Sequence, residues 1–179
     1  MKLNAQELRT SPVDAKEIKN IKRNPITIVC DNVLDTYNVG AIFRLADAVA
    51  AEKVYLCGAT ETPPNSKIKK ASINTWQWID WTHEESAAHA ISKLKALNSQ
   101  LSIIAVEQDK RSVPFYKVEY HFPLAIVVGN ETYGVSKEVL DMADVIVELP
   151  MWGVNKSLNV MVSCGIILYE AMKQMEKKI

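Results

Sequence analysis

The sequence predicts an α/β fold, with a mostly parallel sheet and helices on both faces. Short apolar runs rich in β-branched residues alternate along the chain with segments whose apolar residues recur every three or four positions. Three polar loops that contain glycine also stand where a strand would be followed by a helix. Ligand sites of α/β proteins lie beyond the carboxyl ends of the strands, so these loops indicate an enzyme or a ligand-binding protein.

The strands are predicted from short apolar runs bounded by turn-forming residues. Pro25 precedes the first run, which is rich in β-branched residues and therefore typical of a buried strand. Predicted strands span residues 26–30, 53–58, 101–106, 124–128 and 145–149. Because helical segments separate most of these runs, we expect the strands to lie parallel in one sheet.

The helices are predicted where apolar residues share one helical face. In the first of them, Ile42 and Ala46 belong to an apolar stripe, and Arg44 lies outside it. Pro63 and Pro64 mark a loop that follows the first predicted βαβ unit. Predicted helices span residues 39–50, 84–97, 136–142 and 157–174, the last two with Ser136 and Ser157 as N-caps.

The composition favours one domain without a strong overall charge. With 179 residues and 48% hydrophobic content, the chain can bury a core, and we expect a single domain over residues 1–179. Lys plus Arg and Asp plus Glu both number 21, so a polyanion would have to meet a local basic patch. Clusters of basic residues are more often solvated faces than binding surfaces. The candidate patches are Lys16, Lys19, Lys22 and Arg23; Lys67, Lys69 and Lys70; and Lys173, Lys177 and Lys178.

No membrane segment, disulfide or metal site is expected. The apolar runs are far shorter than the roughly 20 residues that cross a bilayer, and no charged-then-apolar leader opens the chain, so we expect a cytoplasmic protein. Cys30, Cys57 and Cys164 are odd in number and show no C-x-x-C spacing, which predicts buried free thiols. Structural or exposed roles are predicted for His83, His89 and His121, and packing in the core or at an interface for Trp76, Trp78 and Trp81.

Several common motifs are missing from the sequence. No G-x-G-x-x-G follows a strand, and neither G-x-x-x-x-G-K-[ST], H-E-x-x-H nor G-x-S-x-G occurs. Pyridine-dinucleotide, P-loop nucleotide, zinc-protease and serine-hydrolase functions are therefore disfavoured.

The three glycine-bearing loops carry a resemblance to a known family. They contain Asn38-x-Gly40-Ala41-x-x-Arg44, then Gly129-Asn130-Glu131-x-x-Gly134, and finally Leu149-Pro150-Met151 leading to Ser157-Leu158-Asn159-Val160. In this order and at these separations, the loops resemble the three motifs of the SpoU (TrmH) family of RNA ribose 2′-O-methyltransferases, within the SPOUT superfamily. The stretch 105–112, with Trp78 and Trp81, is further similar to the branch that acts on the D-loop guanosine of tRNA.

The resemblance implies a fold, a cofactor and partners. It implies a trefoil knot at the carboxyl end, a homodimer, S-adenosylmethionine held in the loops of the knot, and an RNA substrate, with tRNA favoured over ribosomal RNA. It implies no metal and no membrane. Met161, Leu168, Met172 and Met175 of the last predicted helix could contribute to the dimer interface, and ordinary core packing explains them equally well.

The resemblance also assigns site residues. It implies that Arg44 contacts a phosphate and deprotonates the 2′-hydroxyl of the ribose. Because a guanidinium remains protonated in proteins, we favour anchoring of the adjacent phosphate and stabilisation of alkoxide charge over action as a base. Asn38 would orient Arg44 or the ribose, and Glu131 would fix the guanidinium or an RNA group. Ser157 and Asn159 would line the reacting centre. The implied cofactor-binding residues are Val106, Glu107, Gly129, Asn130, Gly134, Leu149, Met151 and Leu158.

Each of these residues also has a simpler structural interpretation. Arg44 could be a solvated helix residue, Asn38 and Ser157 could be helix caps, Glu131 a loop charge, and the glycines could serve backbone geometry alone. Taken as an ordered set, the residues favour the methyltransferase. The alternatives are the same chemistry on ribosomal RNA, a knotted protein that binds RNA without methylating it, and an α/β enzyme acting on a small molecule.

Overall fold

A computed structural model describes residues 3–10 and 13–177 of the chain. Its strands are β1 (Asn24–Asp31), β2 (Ala51–Cys57), β3 (Trp81–Glu84), β4 (Ser102–Val106), β5 (Val113–Pro114), β6 (Leu124–Val128) and β7 (Val145–Glu148). They form one seven-stranded sheet in the order β3-β2-β1-β6-β4-β7-β5. All neighbouring strands of this sheet are parallel, which confirms the predicted α/β class.

The helices cover both faces of the sheet. They are α1 (Ala5–Thr10), α2 (Ala15–Lys19), α3 (Thr36–Ala48), α4 (Ser66–Ser72), α5 (Ala87–Leu97), α6 (Lys137–Met142) and α7 (Val160–Glu176). Short 3-10 helices lie at Thr75–Gln77 and Phe115–Lys117. Residues of α3, α4 and α7 pack in the apolar cluster on one face, and residues of α5 and α6 pack in the cluster on the other.

The two central strands are the most deeply buried. In β6 all five residues are buried, as expected for a strand covered on both faces, and in β1 the last six are. Alternate residues of β1 serve opposite faces, because Ile28 belongs to the cluster under α3 and Val29 to the cluster under α5. The sheet therefore separates two apolar cores and places α3, α4 and α7 on the same side.

Several element boundaries differ from the sequence prediction. Helix α5 begins at Ala87 and not at residue 84, because the Ser86 hydroxyl accepts a hydrogen bond from the His89 amide and residues 81–84 form β3. Helix α3 spans 36–48 and not 39–50, because Asp35 caps it three residues earlier. The predictions missed α1, α2, α4, the strand β3 and the two-residue strand β5.

The predicted N-cap of the last helix was also wrong. The Asn159 carboxamide, and not the Ser157 hydroxyl, caps α7 by accepting from the amides of Met161 (2.9 Å) and Val162 (3.4 Å). Ser136 does occupy the N-cap position of α6, but its side chain makes no capping hydrogen bond. Its amide instead donates to Asp31 Oδ2 at 2.8 Å.

The structural roles predicted for cysteine and tryptophan are confirmed. Cys30, Cys57 and Cys164 are buried free thiols, and burial raises the pKa of Cys57 and Cys164 to about 12. Trp76, Trp78 and Trp81 are partly buried against the core cluster under α3. Within the described ranges, no helix is both long and apolar enough to cross a membrane.

Candidate functional site

A cavity lies where the loops after three neighbouring strands meet. Strand β4 lies between β6 and β7, so the loops that follow these strands leave the sheet side by side at its carboxyl edge. The cavity between them has a volume of about 480 Å³, which is within the usual range for small-molecule sites. All eight residues implied as cofactor-binding line it: Val106, Glu107, Gly129, Asn130, Gly134, Leu149, Met151 and Leu158.

The cavity has apolar walls and polar loops. Val128 and Val147, at or near the ends of their strands, line it together with Leu149, Met151 and Leu158, and these side chains offer a surface for a flat apolar ring. Sequence reasoning missed Gln108, Lys156 and Ser163 among the lining residues. Gln108 Nε2 donates a hydrogen bond to the Lys156 carbonyl, so the loop after β4 contacts the loop after β7. The sequence offered one indication of two of them, because Gln108 directly follows the predicted site residue Glu107 and Lys156 directly precedes Ser157.

A chain of hydrogen bonds joins the three motifs at the edge of the cavity. Asn38 Nδ2 donates to Glu131 Oε1 at 2.9 Å, and Asn159 Nδ2 donates to Asn38 Oδ1 at 3.0 Å. Glu131 and Asn159 line the cavity, whereas Asn38 lies behind them and is almost fully buried. The first turn of α3, the loop after β6 and the start of α7 are therefore held together by polar side chains.

Glu131 is held in its ionised form. Its carboxylate also accepts the backbone amides of Leu34 and Asp35, each at 3.0 Å. Partial burial acts to raise the pKa of the Glu131 carboxyl, but the hydrogen bonds from Asn38 and from these two amides outweigh burial and lower the pKa below its usual value. At neutral pH the group is an anion with its acceptors directed at the protein.

A second carboxylate, Glu107, fixes the loop after β6. Glu107 Oε2 accepts from the Val135 amide at 2.8 Å, and Oε1 accepts from the Gln108 amide at 2.7 Å. Gly134 has a φ of +72°, and a Cβ at this position would lie 1.9 Å from Glu107 Oε2. Glycine is therefore required here both by the left-handed backbone and by the close approach of Glu107.

Gly40 has a role between helices, away from the cavity. A Cβ at Gly40 would lie 2.6 Å from Ala71 Cβ and 2.7 Å from the Ile68 carbonyl oxygen. The glycine of the first motif thus lets the backbones of α3 and α4 approach each other closely. This matches the simpler interpretation of Gly40 as a residue of backbone geometry.

Arg44 and Ser157 are placed differently from each other. Ser157 lines the cavity and is exposed, and its amide donates to Asn155 Oδ1 at 3.3 Å. Arg44 is exposed on α3, does not line the cavity, and makes no hydrogen bond or ion pair with another described residue. Asn38 and Glu131 bond to each other and not to its guanidinium.

No cluster of metal-binding side chains is found in the part of the chain that the structure describes. Among residues 3–10 and 13–177, no group of three or more His, Cys, Asp or Glu side chains could hold a metal ion. What the cavity offers is an apolar slot, backbone groups exposed by glycine, and amide and carboxylate side chains at its rim.

Comparisons with known proteins show which family the chain resembles. The sequence profile of the SpoU rRNA Methylase family matches residues 25–169. The chain is 37% identical over 167 residues to the tRNA (guanosine(18)-2'-O)-methyltransferase of Aquifex aeolicus, an alignment that covers 91% of this chain and 76% of that protein.

Two solved structures are also similar to the fold. The crystal structure of the Aquifex aeolicus TrmH/SpoU tRNA modifying enzyme superposes with a TM-score of 0.80 at 32% identity, over 97% of this chain and 83% of that one. The SpoU methyltransferase AviRb from Streptomyces viridochromogenes, in complex with AdoMet, has a TM-score of 0.79 at 22% identity, over 92% of this chain and 65% of that one. At this identity, the comparison shows only that the two folds are alike.

Proposed function

Since this chain belongs to the SpoU rRNA methylase family, we propose that it transfers a methyl group from S-adenosylmethionine to a ribose 2′-hydroxyl of tRNA, at a guanosine of the D-loop. The observation that carries the proposal is the hydrogen-bonded chain Glu131–Asn38–Asn159 at the rim of the cavity. It brings together all three motifs by which the sequence resembles the family. The tRNA substrate is supported by the activity named for the Aquifex aeolicus relative.

The cavity suits S-adenosylmethionine by size and by chemistry. The apolar side chains of Leu149, Met151 and Leu158 can enclose an adenine ring, and the backbone of the glycine loop can reach its polar edge. The cofactor has no phosphates, so a P-loop is unnecessary. When bound, it supplies a methyl group on a sulfonium, which departs as a neutral thioether.

The protein must therefore position the ribose, whose 2′-oxygen bonds to the methyl carbon as the carbon–sulfur bond breaks and whose hydroxyl proton passes to water. Holding two reactants in line is a large part of catalysis in such transfers. Asn159 is fixed by Asn38 on one side and by the amides of α7 on the other, so its position beside the cavity is rigid. Ser157 is exposed at the same rim and is the hydroxyl-bearing residue that we assign to the ribose or its phosphate.

Arg44 is assigned to the phosphate next to the reacting ribose. A guanidinium is not deprotonated in proteins, and it binds phosphate through paired N–H donors. Arg44 lies outside the cavity and is unpaired among the described residues, so its charge is available to a group that does not enter the cavity. That placement fits phosphate anchoring better than removal of a proton beside the methyl donor.

A trefoil knot at the carboxyl end belongs to the proposal. The segment from Glu107 to Pro123 joins β4 to β6, and the chain after β7 contacts it near both ends. Gln174 of α7 accepts from the Tyr120 amide and donates to the Val118 carbonyl, both at 3.0 Å, while Gln108 contacts Lys156. These contacts support passage of the carboxyl-terminal segment through that loop.

A homodimer also belongs to the proposal. Several large apolar side chains after β7 are exposed, and a partner copy would cover them: Trp152 (88%), Val154 (103%), Val162 (39%) and Tyr169 (57%). A cytoplasmic location and a single domain over residues 1–179 complete the proposal. One sheet that unites strands from residue 24 to residue 148 supports the single domain.

The proposal is tested by tritium transfer from methyl-labelled S-adenosylmethionine, with tRNA and ribosomal RNA from cells lacking ribose methylation as separate substrates. We expect label in tRNA. Label only in ribosomal RNA would establish the second candidate, which the name of the family favours. Label in neither would leave an RNA-binding protein or a metabolite enzyme.

Arg44→Ala tests the assigned mechanism within the same assay. We expect the methylation rate to fall by about tenfold or more, because one strong phosphate contact is lost. The affinity for S-adenosylmethionine should stay unchanged, because Arg44 does not line the cavity. Full activity of this variant would refute the role of Arg44 and leave the family membership intact.

A further inference from the structure

Helix α4 carries three lysines that no acidic residue accompanies. Residues 62–79 contain Lys67, Lys69 and Lys70 and no Asp or Glu. All three lysines are exposed. None of them forms an ion pair with another described residue. We refer to Lys67, Lys69 and Lys70 together as the α4 basic face.

Several lysines on other elements form ion pairs with neighbouring carboxylates. Lys93 lies 2.8 Å from Glu84 Oε2, Lys95 lies 3.1 Å from Asp144 Oδ1, and Lys137 pairs with Asp141. Lys173 and Lys53 likewise pair with Glu170 and Asp80. A protein of zero formal charge thus keeps an uncompensated positive surface on α4.

The packing of α4 places this surface next to α3. Ile68 is completely buried, and its turn of α4 contacts α3 at Gly40, where the absence of a side chain brings the two helices together. Asn38, half a turn earlier on α3, is hydrogen bonded to Glu131 and Asn159 at the rim of the cavity. Helix α4 is therefore the immediate neighbour of the helix whose first turn borders the cavity.

Arg44 lies on the same side of α3 as Gly40. The two residues are four apart, and residues at this spacing share one face of a helix. Arg44 is also exposed and unpaired among the described residues. Arg44 and the α4 basic face thus lie on two helices that pack together on the same face of the sheet.

We propose that the α4 basic face binds the phosphate backbone of the RNA whose ribose enters the cavity. The inference rests on the proposed function for its RNA substrate. Lysine ammonium groups are mobile point charges, which suits contacts to successive phosphates irrespective of base sequence. In this arrangement the cavity and Arg44 hold the reacting nucleotide, and α4 holds the backbone beyond it.

The test is the salt dependence of tRNA binding by the triple variant Lys67→Gln/Lys69→Gln/Lys70→Gln. Each phosphate contact contributes about 0.7 to 0.9 to the slope of log affinity against log salt. Between about 50 and 200 mM salt, the wild type should therefore lose about 20- to 40-fold more affinity than the variant. The KM for tRNA in methylation should rise, and the Kd for S-adenosylmethionine should not change.

A matched control removes the same number of charges from the opposite face of the sheet. Lys93→Gln/Lys95→Gln/Lys137→Gln lies on α5 and α6, and we expect it to retain the salt slope of the wild type. The variant Lys67→Arg/Lys69→Arg/Lys70→Arg keeps the charges and should retain that slope as well.

Three results would overturn the inference. The first is an equal salt slope for the α4 glutamine variant and the wild type. The second is an equal reduction by the control on α5 and α6, which would make net charge the cause. The third is an equal reduction by the arginine variant, which would make the effect independent of charge. If the wild type transfers no methyl group to any RNA, the proposed function itself fails, whereas these three results leave it standing.

Discussion

At the scale of single residues, the carboxylates of this site act on the protein backbone. Glu131 accepts the amides of Leu34 and Asp35, and Glu107 accepts the amide of Val135. Hydrogen bonds to an ionised acceptor are stronger than those between neutral groups, so these carboxylates fix the loops that line the cavity. The sequence identified both glutamates as site residues, but their partners lie up to 97 positions away and could not be read from local pattern.

Gly134→Ala tests whether the loop geometry made by Glu107 is needed for the methyl donor. A side chain in the left-handed region costs about 1 to 2 kcal/mol, and this one would also displace the Glu107 carboxylate. We therefore expect the Kd for S-adenosylmethionine, measured by calorimetry, to rise about tenfold or more.

The matched control for this substitution is Gly153→Ala. A Cβ at Gly153 would meet no atom within 4 Å, so its affinity for S-adenosylmethionine should equal that of the wild type. Equal affinities of the Gly134 and Gly153 variants would show that the loop geometry does not control cofactor binding.

At the scale of elements, the longer helices could be predicted from the sequence, but the residues at which they begin could not. The apolar periodicity of α3, α5 and α7 was sufficient to predict the helices, and the β-branched runs were sufficient for β1 and β6. The starts were less predictable, because Ser157 and Asn159 are both good N-cap residues and only the backbone path selects Asn159. Short elements such as α4 and β5 were missed, since their few residues carry no periodic signal.

Asn159→Ala tests the assignment of the cap of α7. Loss of an N-cap costs about 1 kcal/mol, which lowers Tm by about 2 to 4 °C in a protein of this size, and the hydrogen bond to Asn38 is lost as well. By contrast, Ser157→Ala should leave Tm within about 1 °C of the wild type.

The conservative variant Asn159→Asp separates the two roles of this side chain. It keeps an acceptor for the amides of Met161 and Val162 but cannot donate to Asn38 Oδ1. We expect it to preserve most of the stability and to lose methyl transfer. A larger loss of Tm from Ser157→Ala than from Asn159→Ala would contradict the cap assignment.

At the scale of the whole molecule, strand order creates the site. The sequence predicted parallel strands, because helices separate them, but it did not give the order in which β4 lies between β6 and β7. That order depends on contacts between distant segments, and it is what makes three separated loops line one cavity. The convergence was therefore expected from the resemblance to the SpoU family and not from periodicity.

Overall charge was likewise a poor guide to function. A formal net charge of zero gave no sign of a nucleic acid partner. In the folded chain, ion pairs neutralise lysines on α5 and α6, while Arg44 and the α4 basic face have no such partners among the described residues. Which basic residues remain unpaired depends on the fold and is more informative than the net charge.

The most direct measurement of the central claim is nucleoside mass spectrometry of unmodified tRNA after incubation with the protein and S-adenosylmethionine. We expect one 2′-O-methylguanosine per tRNA, located in the D-loop and marked by a phosphodiester that resists alkaline hydrolysis. Asn159→Asp should yield none. A methyl group on a base, or no methylated nucleoside although the cofactor binds, would contradict transfer to a ribose hydroxyl.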